Sequence, residues 1–425
     1  MRMPKTDKGV AVLLVLGALF ALATLAADFA MGRSVDLRLA TAARDRLQAE
    51  YLATSAVNFL RLELKIERSA KSLFAQLPTG TQGIGTGPLC KQYPISTGLL
   101  KAIFFPGGEG QPVGSETAEK AAASRMVNVF ETETAQAFLQ FRGDFAGECE
   151  DEGGKLNLNV FAGLNPLQQT LGGLNAYDRF KEIFTTFLGQ ERFKEYLGAE
   201  DADPQLAREA VRNMADWVDP NETINEKGGG QGGPESALYG GTTDYSVRNG
   251  KMLTLDEAYL VAGVTDGWFT PLKRYFTVYG ETKINRCSAA PEVVEAVVTA
   301  YALGNPKFPA FTPTNAELMK KITEAVAFDC NGAQVAPQKV AQDIESLLSG
   351  GILSPSEPQP TNPVPAPTGV STATGSLAEL IATEARFYRL IGTGEVGETG
   401  VRIETVVDVK EGDPKKWKML YWHLE

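Results

Sequence analysis

From Val10 to Ala27 the chain reads VAVLLVLGALFALATLAA, 18 residues without a charge or a proline. A helix of that length and composition spans a bilayer. The apolar core of a secretory signal is usually shorter, about 7–15 residues. A polar leader, MRMPKTDKG, precedes the run and carries Arg2, Lys5 and Lys8 against Asp7. The basic leader is expected to stay cytoplasmic and the rest of the chain to lie outside. Beyond the run, no glycine or proline intervenes between Arg33 and Leu77. Leu37, Ala40, Leu47, Tyr51, Phe59, Leu62 and Ile66 recur there at helical steps. One helix is therefore predicted from about Val10 to about Phe74, on the order of 100 Å long. Half of it would lie in lipid and half under a globular domain.

Length and hydrophobic content (425 residues, 43%) suffice for two or three packed units. Net charge is −11, and no basic cluster occurs outside the leader. That excludes nucleic acid and anionic headgroups as expected partners. The four cysteines, Cys90, Cys149, Cys287 and Cys330, form no CxxC pair. In an exported chain they read as up to two disulfides, with three possible connectivities. The local pairing, Cys90–Cys149 with Cys287–Cys330, is the one expected. The single histidine, His423, leaves no basis for a His triad or a His-rich metal centre.

Along the chain, Pro78–Gly87 is a Gly/Thr-rich breaker, and residues 89–114 are irregular with an apolar stretch from Leu99 to Phe105. Phe138–Phe141 and Phe145 suggest a strand, Glu148–Gly154 an acidic turn, and Lys155–Val160 a second strand with Leu156 and Leu158 on one face. Helical spacing follows at Ala176–Leu188, Gln190–Leu197 and Pro204–Val218, the last with a stripe of Leu206, Ala210, Met214 and Trp217. Asp219–Gly233 is a polar, glycine-rich loop. Thr254 and Glu257 have capping-box spacing ahead of Val261, and Trp268–Tyr275 continues after the Gly263-Val264 turn. That helix–turn–helix unit is similar to helix-hairpin-helix modules, but no lysines surround it to hold phosphates, so a plain tight turn is expected. Strand character returns at Phe276–Tyr279 and Lys283–Cys287, then helices at Pro291–Leu303, Ala316–Phe328 and Val340–Leu348. Ser354–Ser376 is a Pro/Ser/Thr-rich tether. Three strands, Ala385–Leu390, Val401–Val409 and Trp417–His423, end the chain as a meander with turns at GTGEVGETG and KEGDPKK.

A basic leader ending in glycine before an unbroken apolar helix resembles a type IV pilin-like signal, cut by prepilin peptidase between Gly9 and Val10. Pilin-like chains usually carry glutamate at the fifth mature position, which is Leu14 here. Several blocks resemble K-type minor pseudopilins (GspK) of the type II secretion system. They are Asp151-Glu-Gly-Gly-Lys-Leu-Asn-Leu-Asn159, Asp216-Trp-Val-Asp219, Tyr245-Ser-Val-Arg-Asn-Gly250, Gly263-Val264, Thr277-Val-Tyr-Gly280 and Lys283-Ile-Asn-Arg-Cys-Ser-Ala-Ala-Pro-Glu-Val293. That family typically lacks the fifth-position glutamate. The resemblance covers about Val10 to Tyr301 and departs from the family at Cys287, at the glycines 228–233, in the helices after Pro313 and in the Pro-rich tether.

The resemblance implies an α+β, type IV pilin-like fold, with the long N-terminal helix on an antiparallel sheet and a large inserted all-α domain. The expected division is leader 1–9, membrane part 10–31, first pilin-like part 32–160, insert 161–280, second pilin-like part 281–353, linker 354–376 and C-terminal meander 377–425. Asn157, Asn159 and Asn285 are expected to bond loop backbone where the insert leaves and re-enters. The implied role is a non-enzymatic subunit at the tip of the periplasmic pseudopilus, supporting export of folded proteins across the outer membrane. Its location would be the inner membrane, single-pass, with a periplasmic C-terminal domain. Its partners would be the I- and J-type minor pseudopilins, the major pseudopilin and prepilin peptidase.

No catalytic constellation is legible. The one site reading is calcium. Asp216, Asp219, Asn221 and Glu222 cluster after the Asp-Trp helix, with Glu235 and Asp244 beyond the glycines. Hard cations take six to eight or so oxygens, which carboxylates on a loop supply. Asp216, Asp219, Asn221 and Glu235 are the predicted ligands. The resemblance points the same way, with Asp219 and Glu235 matching the family's calcium positions best. Two rival readings remain: a minor pilin of a type IV pilus, and an exported enzyme or binding domain with an ordinary signal cut near Ala21-Leu22-Ala23.

Overall fold

The computed structural model describes residues 8–74, 89–92, 94–104, 141–168, 174–197, 204–226, 228, 230–239, 245–303, 305, 307–309, 311–328, 330, 337–350 and 377–425. The leader before Lys8, the Pro78–Gly87 breaker, the start of the Phe138–Phe141 strand reading, Asp244 and the Pro-rich tether lie outside them.

Helix α1 runs unbroken over Lys8–Phe74. Its residues 12–40 are all exposed, and by length and composition it is able to cross a membrane. Its second half lies on a five-stranded antiparallel sheet of order β1-β2-β9-β10-β11: Ile95–Ser96, Asp144–Asp151, Phe387–Val396, Thr399–Asp408 and Lys418–Leu424. Two short helices, α2 (Leu89–Gln92) and α3 (Thr97–Phe104), flank β1. The apolar stretch from Leu99 is therefore helical as far as Phe104. The core between α1 and the sheet comprises Ala49, Leu52, Ala53, Ala56, Val57, Leu60 and Leu64 against Phe145, Cys149, Tyr388, Leu390, Val396, Ile403 and Val407.

Of the stripe read from the sequence, Phe59 packs, stacked on Phe145, but most of the rest does not. Leu37, Leu47, Tyr51, Leu62 and Ile66 stay exposed. The sheet instead takes the neighbouring face, rich in small residues, and glycine explains why. A β-carbon on Gly394 would lie 2.7 Å from Ala53 N, and one on Gly392 would lie 2.9 Å from Val57 Cγ2. The expected GTGEVGETG turn is mostly strand. Only Gly397–Glu398 turn, with Gly397 at φ 64°, while Gly392 and Gly394 form the seat on which α1 lies.

The acidic turn expected at Glu148–Gly154 is likewise strand as far as Asp151. Phe145, Gly147, Cys149 and Asp151 alternate inward while Glu148 and Glu150 face solvent. Gly147 and Cys149 carry the inward positions, so the hydrophobic alternation is muted in the sequence. A disulfide ties Cys149 to Cys90 of α2 (Cα–Cα 5.7 Å), and a second joins Cys287 to Cys330 (5.3 Å).

Between β2 and β9 lies a second unit with its own core. Its helices are α4 (Ala176–Leu188), α5 (Pro204–Val218), α6 (Asp266–Leu272), α7 (Pro291–Ala302), α8 (Ala316–Phe328) and α9 (Pro337–Leu348). Asn175 caps α4, its Oδ1 accepting from Asp178 N (2.7 Å), and Pro291 opens α7. Phe161, Tyr177, Phe184, Phe187, Phe269 and Phe276 are fully buried there, several edge-to-face. Val293, Ile322, Ile344 and Leu377 share this cluster. The helices after Pro291, expected with the pilin-like part, thus pack with the insert. Apolar faces on three helices need a helical partner, and the sheet's one buried face is already filled by α1. The stretch Gln190–Leu197 forms only a short 3-10 turn at Glu191–Phe193. Leu206, expected on the buried stripe of α5, is exposed, with Ala207 and Val211 buried in its stead. Thr254 makes no side-chain cap, and the Glu257 carboxylate accepts from Leu253 N and Trp217 Nε1.

The strands expected at Lys155–Val160 and Lys283–Cys287 are far shorter than that reading. β3 is Leu156–Asn157, pairing in parallel with β6 (Phe276–Thr277), and a 3-10 helix begins at Leu158. β7 is Ile284–Asn285, pairing in parallel with β8 (Ile381–Ala382). The asparagines are the reason, since their side chains hold loop backbone and so end the ladders. Asn159 Nδ2 donates to Met252 O and Val278 O (2.9 and 2.8 Å), and its Oδ1 accepts from Met252 N. Asn157 Oδ1 accepts from Asn159 N. Asn285 Oδ1 accepts from Cys287 N (3.2 Å), and its Nδ2 donates to the Asp151 carboxylate (2.6 Å).

Charge locks the junction. Glu152, fully buried, accepts from Arg389 Nε of β9 (2.7 Å), Lys155 Nζ (2.8 Å) and the Thr277 hydroxyl of the insert. Burial alone would push its carboxyl up. The Lys155 ammonium and Arg389 guanidinium outweigh that and hold it below the usual range.

Candidate metal centre

The last turn of α5 and the hairpin after it bring three carboxylates together. Asp216 lies in that turn, and Asp219 follows it, with its N–H bonded to Ala215 O. The expected glycine-rich loop is a β-hairpin, β4 (Thr223–Glu226) against β5 (Gly230–Pro234). The hairpin returns the chain to Glu235, whose N–H bonds Glu222 O. Oxygens of Asp216, Asp219 and Glu235 consequently lie within 4.8 Å of one another, all three residues buried.

Two neighbours orient this group. Tyr177 OH donates to Asp219 Oδ2 (2.7 Å) and Asp216 Oδ1 (3.3 Å). Asn225 Nδ2 donates to the same two oxygens (2.8 and 3.3 Å). Lys181 bonds Asn225 O (2.6 Å) and lies over the Tyr177 ring. The oxygens left over are informative: Asp216 Oδ2 and both Glu235 carboxylate oxygens are buried without a hydrogen-bond partner. Buried unpaired acceptors are costly, and α5 adds to the cost by pointing its negative end at the group. Desolvation, then the neighbouring carboxylates, pushes the Glu235 carboxyl up to about 8. Burial raises Asp216 to about 6 and raises Asp219 as well.

This arrangement fits a hard cation. The donors are oxygen only, three carry charge, and a helix C-terminus favours positive charge. Of the residues predicted from sequence, Asp216, Asp219 and Glu235 converge. Asn221 does not join them in the same way. Its Oδ1 accepts both Thr223 N and Thr223 Oγ1 (2.9 and 2.8 Å), so both lone pairs are used, and its Nδ2 donates to Asp219. Glu222 is exposed. Tyr177 and Asn225 escaped sequence reading. Tyr177 looks like one more core aromatic of α4, and Asn225 sits in a stretch with no pattern.

No family model matches the chain, and no curated protein does. A chain in the crystal structure of the GspK-GspI-GspJ complex from the enterotoxigenic Escherichia coli type 2 secretion system is similar at 13% identity and a TM-score of 0.40. The match covers 67% of this chain and 80% of that one.

Proposed function

We propose that this chain is a minor pseudopilin of the K type in a type II secretion system, an assembly protein at the tip of the pseudopilus and not an enzyme. The observation that carries the proposal is α1. A basic leader ending in Gly9 runs into an unbroken helix, bare over residues 12–40 and seated on the sheet by its small-residue face. Such a helix suits the inner membrane before assembly and a filament core afterwards. Leu14 suits a terminal position. A carboxylate there would pair with a neighbouring subunit's amine in a low-dielectric core, and Leu14 offers none. The insert between β2 and β9 would obstruct further stacking.

The exposed stripe of Leu47, Tyr51, Leu62 and Ile66 is the proposed contact for the I- and J-type minor pseudopilins, with the major pseudopilin below them. Asp216, Asp219 and Glu235 are the proposed calcium ligands. The bound cation would offset two of the three carboxylate charges and tie the end of α5 to the hairpin. Tyr177 and Asn225 would hold two of the carboxylates in place.

Prepilin peptidase would cut between Gly9 and Val10, leaving the ectodomain periplasmic. N-terminal sequencing of the mature protein tests this. A terminus at Val10, and uncleaved precursor from Gly9→Leu, are expected. A terminus between Ala23 and Asp28 would restore the ordinary signal peptide and end the pilin-like reading.

A further inference from the structure

β11 is the outermost strand of the sheet, and one side of its backbone has no strand beside it among the described residues. Arg402 and Glu425 exchange both backbone hydrogen bonds (3.1 and 2.9 Å). Backbone direction alternates along an antiparallel strand, so the polar groups of Leu424 and Trp422 point away from β10. Natural edges are blunted by shortness, by proline, by bulges or by lysine at their centre. This one has seven residues, no proline and its only lysine at the first position, and its one bulge, at Leu420, leaves Tyr421–Leu424 as regular strand. Its centre is apolar and bare: Met419 is 50% exposed, Leu420 42% and Trp422 42%. α1 packs across β2, β9 and β10, and β11 lies outside that cover. On the opposite face, Tyr421 stacks on His423 and meets Tyr279 of the insert at 6.1 Å.

The edge is also polarised. Exposed Lys410, Lys415, Lys416 and Lys418 gather at its leading end, outnumbering Glu411 and Asp413, while Asp408 is held by Arg386. Glu425 marks the trailing end. A second copy pairing antiparallel would satisfy these charges. The rotation relating the two copies would, however, reverse α1 and aim one apolar half away from the membrane holding the other. The occupant must therefore be a different chain.

We propose that β11 receives, by strand addition, an extended segment of another protein. That segment runs antiparallel, is apolar at alternate positions, starts basic beside Glu425 and ends acidic beside Lys418. Main-chain bonds to Trp422 and Leu424 hold it, and the end charges fix its direction. This inference rests on the proposed membrane placement of α1 but not on the K-type assignment.

The test uses the full-length protein in nanodiscs, with empty nanodiscs as blank, and fluorescent peptides as probes. The peptide Lys-Val-Thr-Val-Thr-Val-Glu should bind saturably below 1 mM, a limit of about 4 kcal/mol. Replacing its glutamate by lysine should weaken binding about tenfold, or about 1.4 kcal/mol. A proline at its central valine should abolish binding. In the protein, Trp422→Pro removes an outward N–H without touching the ladder to β10. It should lose the peptide while keeping the native circular dichroism and melting temperature. Should that variant misfold, Lys418→Glu replaces it and should reverse the preference between the two end-charged peptides. Absence of saturable binding, equal binding of all three peptides, or undiminished binding by a natively folded Trp422→Pro would overturn the proposal.

Discussion

Gly394 leaves no room for a side chain between β9 and α1, where a β-carbon would lie 2.7 Å from Ala53 N. Gly394→Val should cost about 1–3 kcal/mol through overpacking, read by denaturant unfolding, whereas the same change at Gly400, where nothing lies within 4 Å, should cost far less. Equal costs would mean that α1 does not sit so close. Glu235 supplies the opposite case, a residue whose charge is resisted. Its carboxyl is raised to about 8 in the fold, so the folded state holds a proton that the unfolded chain has released. Without a divalent cation, that stability is present below the ordinary carboxylate range and is lost as pH rises towards 8. Calcium needs the deprotonated form, so its stabilisation should grow over the same interval. Thermal melts at pH 5 and pH 8, with and without millimolar calcium, check both slopes. Glu235→Gln should flatten the cation-free slope and remove most of the calcium effect. A melt insensitive to calcium at pH 8 would sink the metal reading.

At the scale of elements, the longer helices and the C-terminal meander were legible, and the short strands were not. α4, α5 and α8 begin and end where their periodicity says, because each buries an amphipathic face against other helices. The short strands mislead for a physical reason. Lys155–Val160 alternates as a strand should, yet its asparagines bond loop backbone and stop the ladder after Asn157. β9 errs the other way, since glycines that usually mark turns here admit a helix. Of the candidate site, the three acids could be read from sequence. The hairpin that gathers them could not, because GGGQGG has no apolar pattern and its pairing is backbone alone. The junction was equally hidden, since Glu152, Thr277 and Arg389 are far apart in the chain. Arg389→Met leaves Glu152 with only Lys155 as its ionic partner. Breaking a buried pair from one side costs about 3–5 kcal/mol. Faster proteolysis between β2 and β9, together with a lowered unfolding midpoint, would register that loss. An unchanged midpoint would show the pair to be dispensable.

At the scale of the whole molecule, α1 links everything proposed here. One half is bare and apolar, the other gives one face to the sheet and leaves Leu47, Tyr51, Leu62 and Ile66 uncovered. If that stripe seats the I- and J-type minor pseudopilins, replacing Leu62 and Ile66 by aspartate should leave the fold intact and abolish their association. The most direct measurement is size-exclusion chromatography with light scattering on this ectodomain mixed with the I- and J-type ectodomains of the same secretion system. A 1:1:1 complex at tens of micromolar, corresponding to roughly 6 kcal/mol of association free energy, and its loss in the double aspartate variant, is the predicted result. An ectodomain that remains monomeric in that mixture would contradict assignment to the pseudopilus tip.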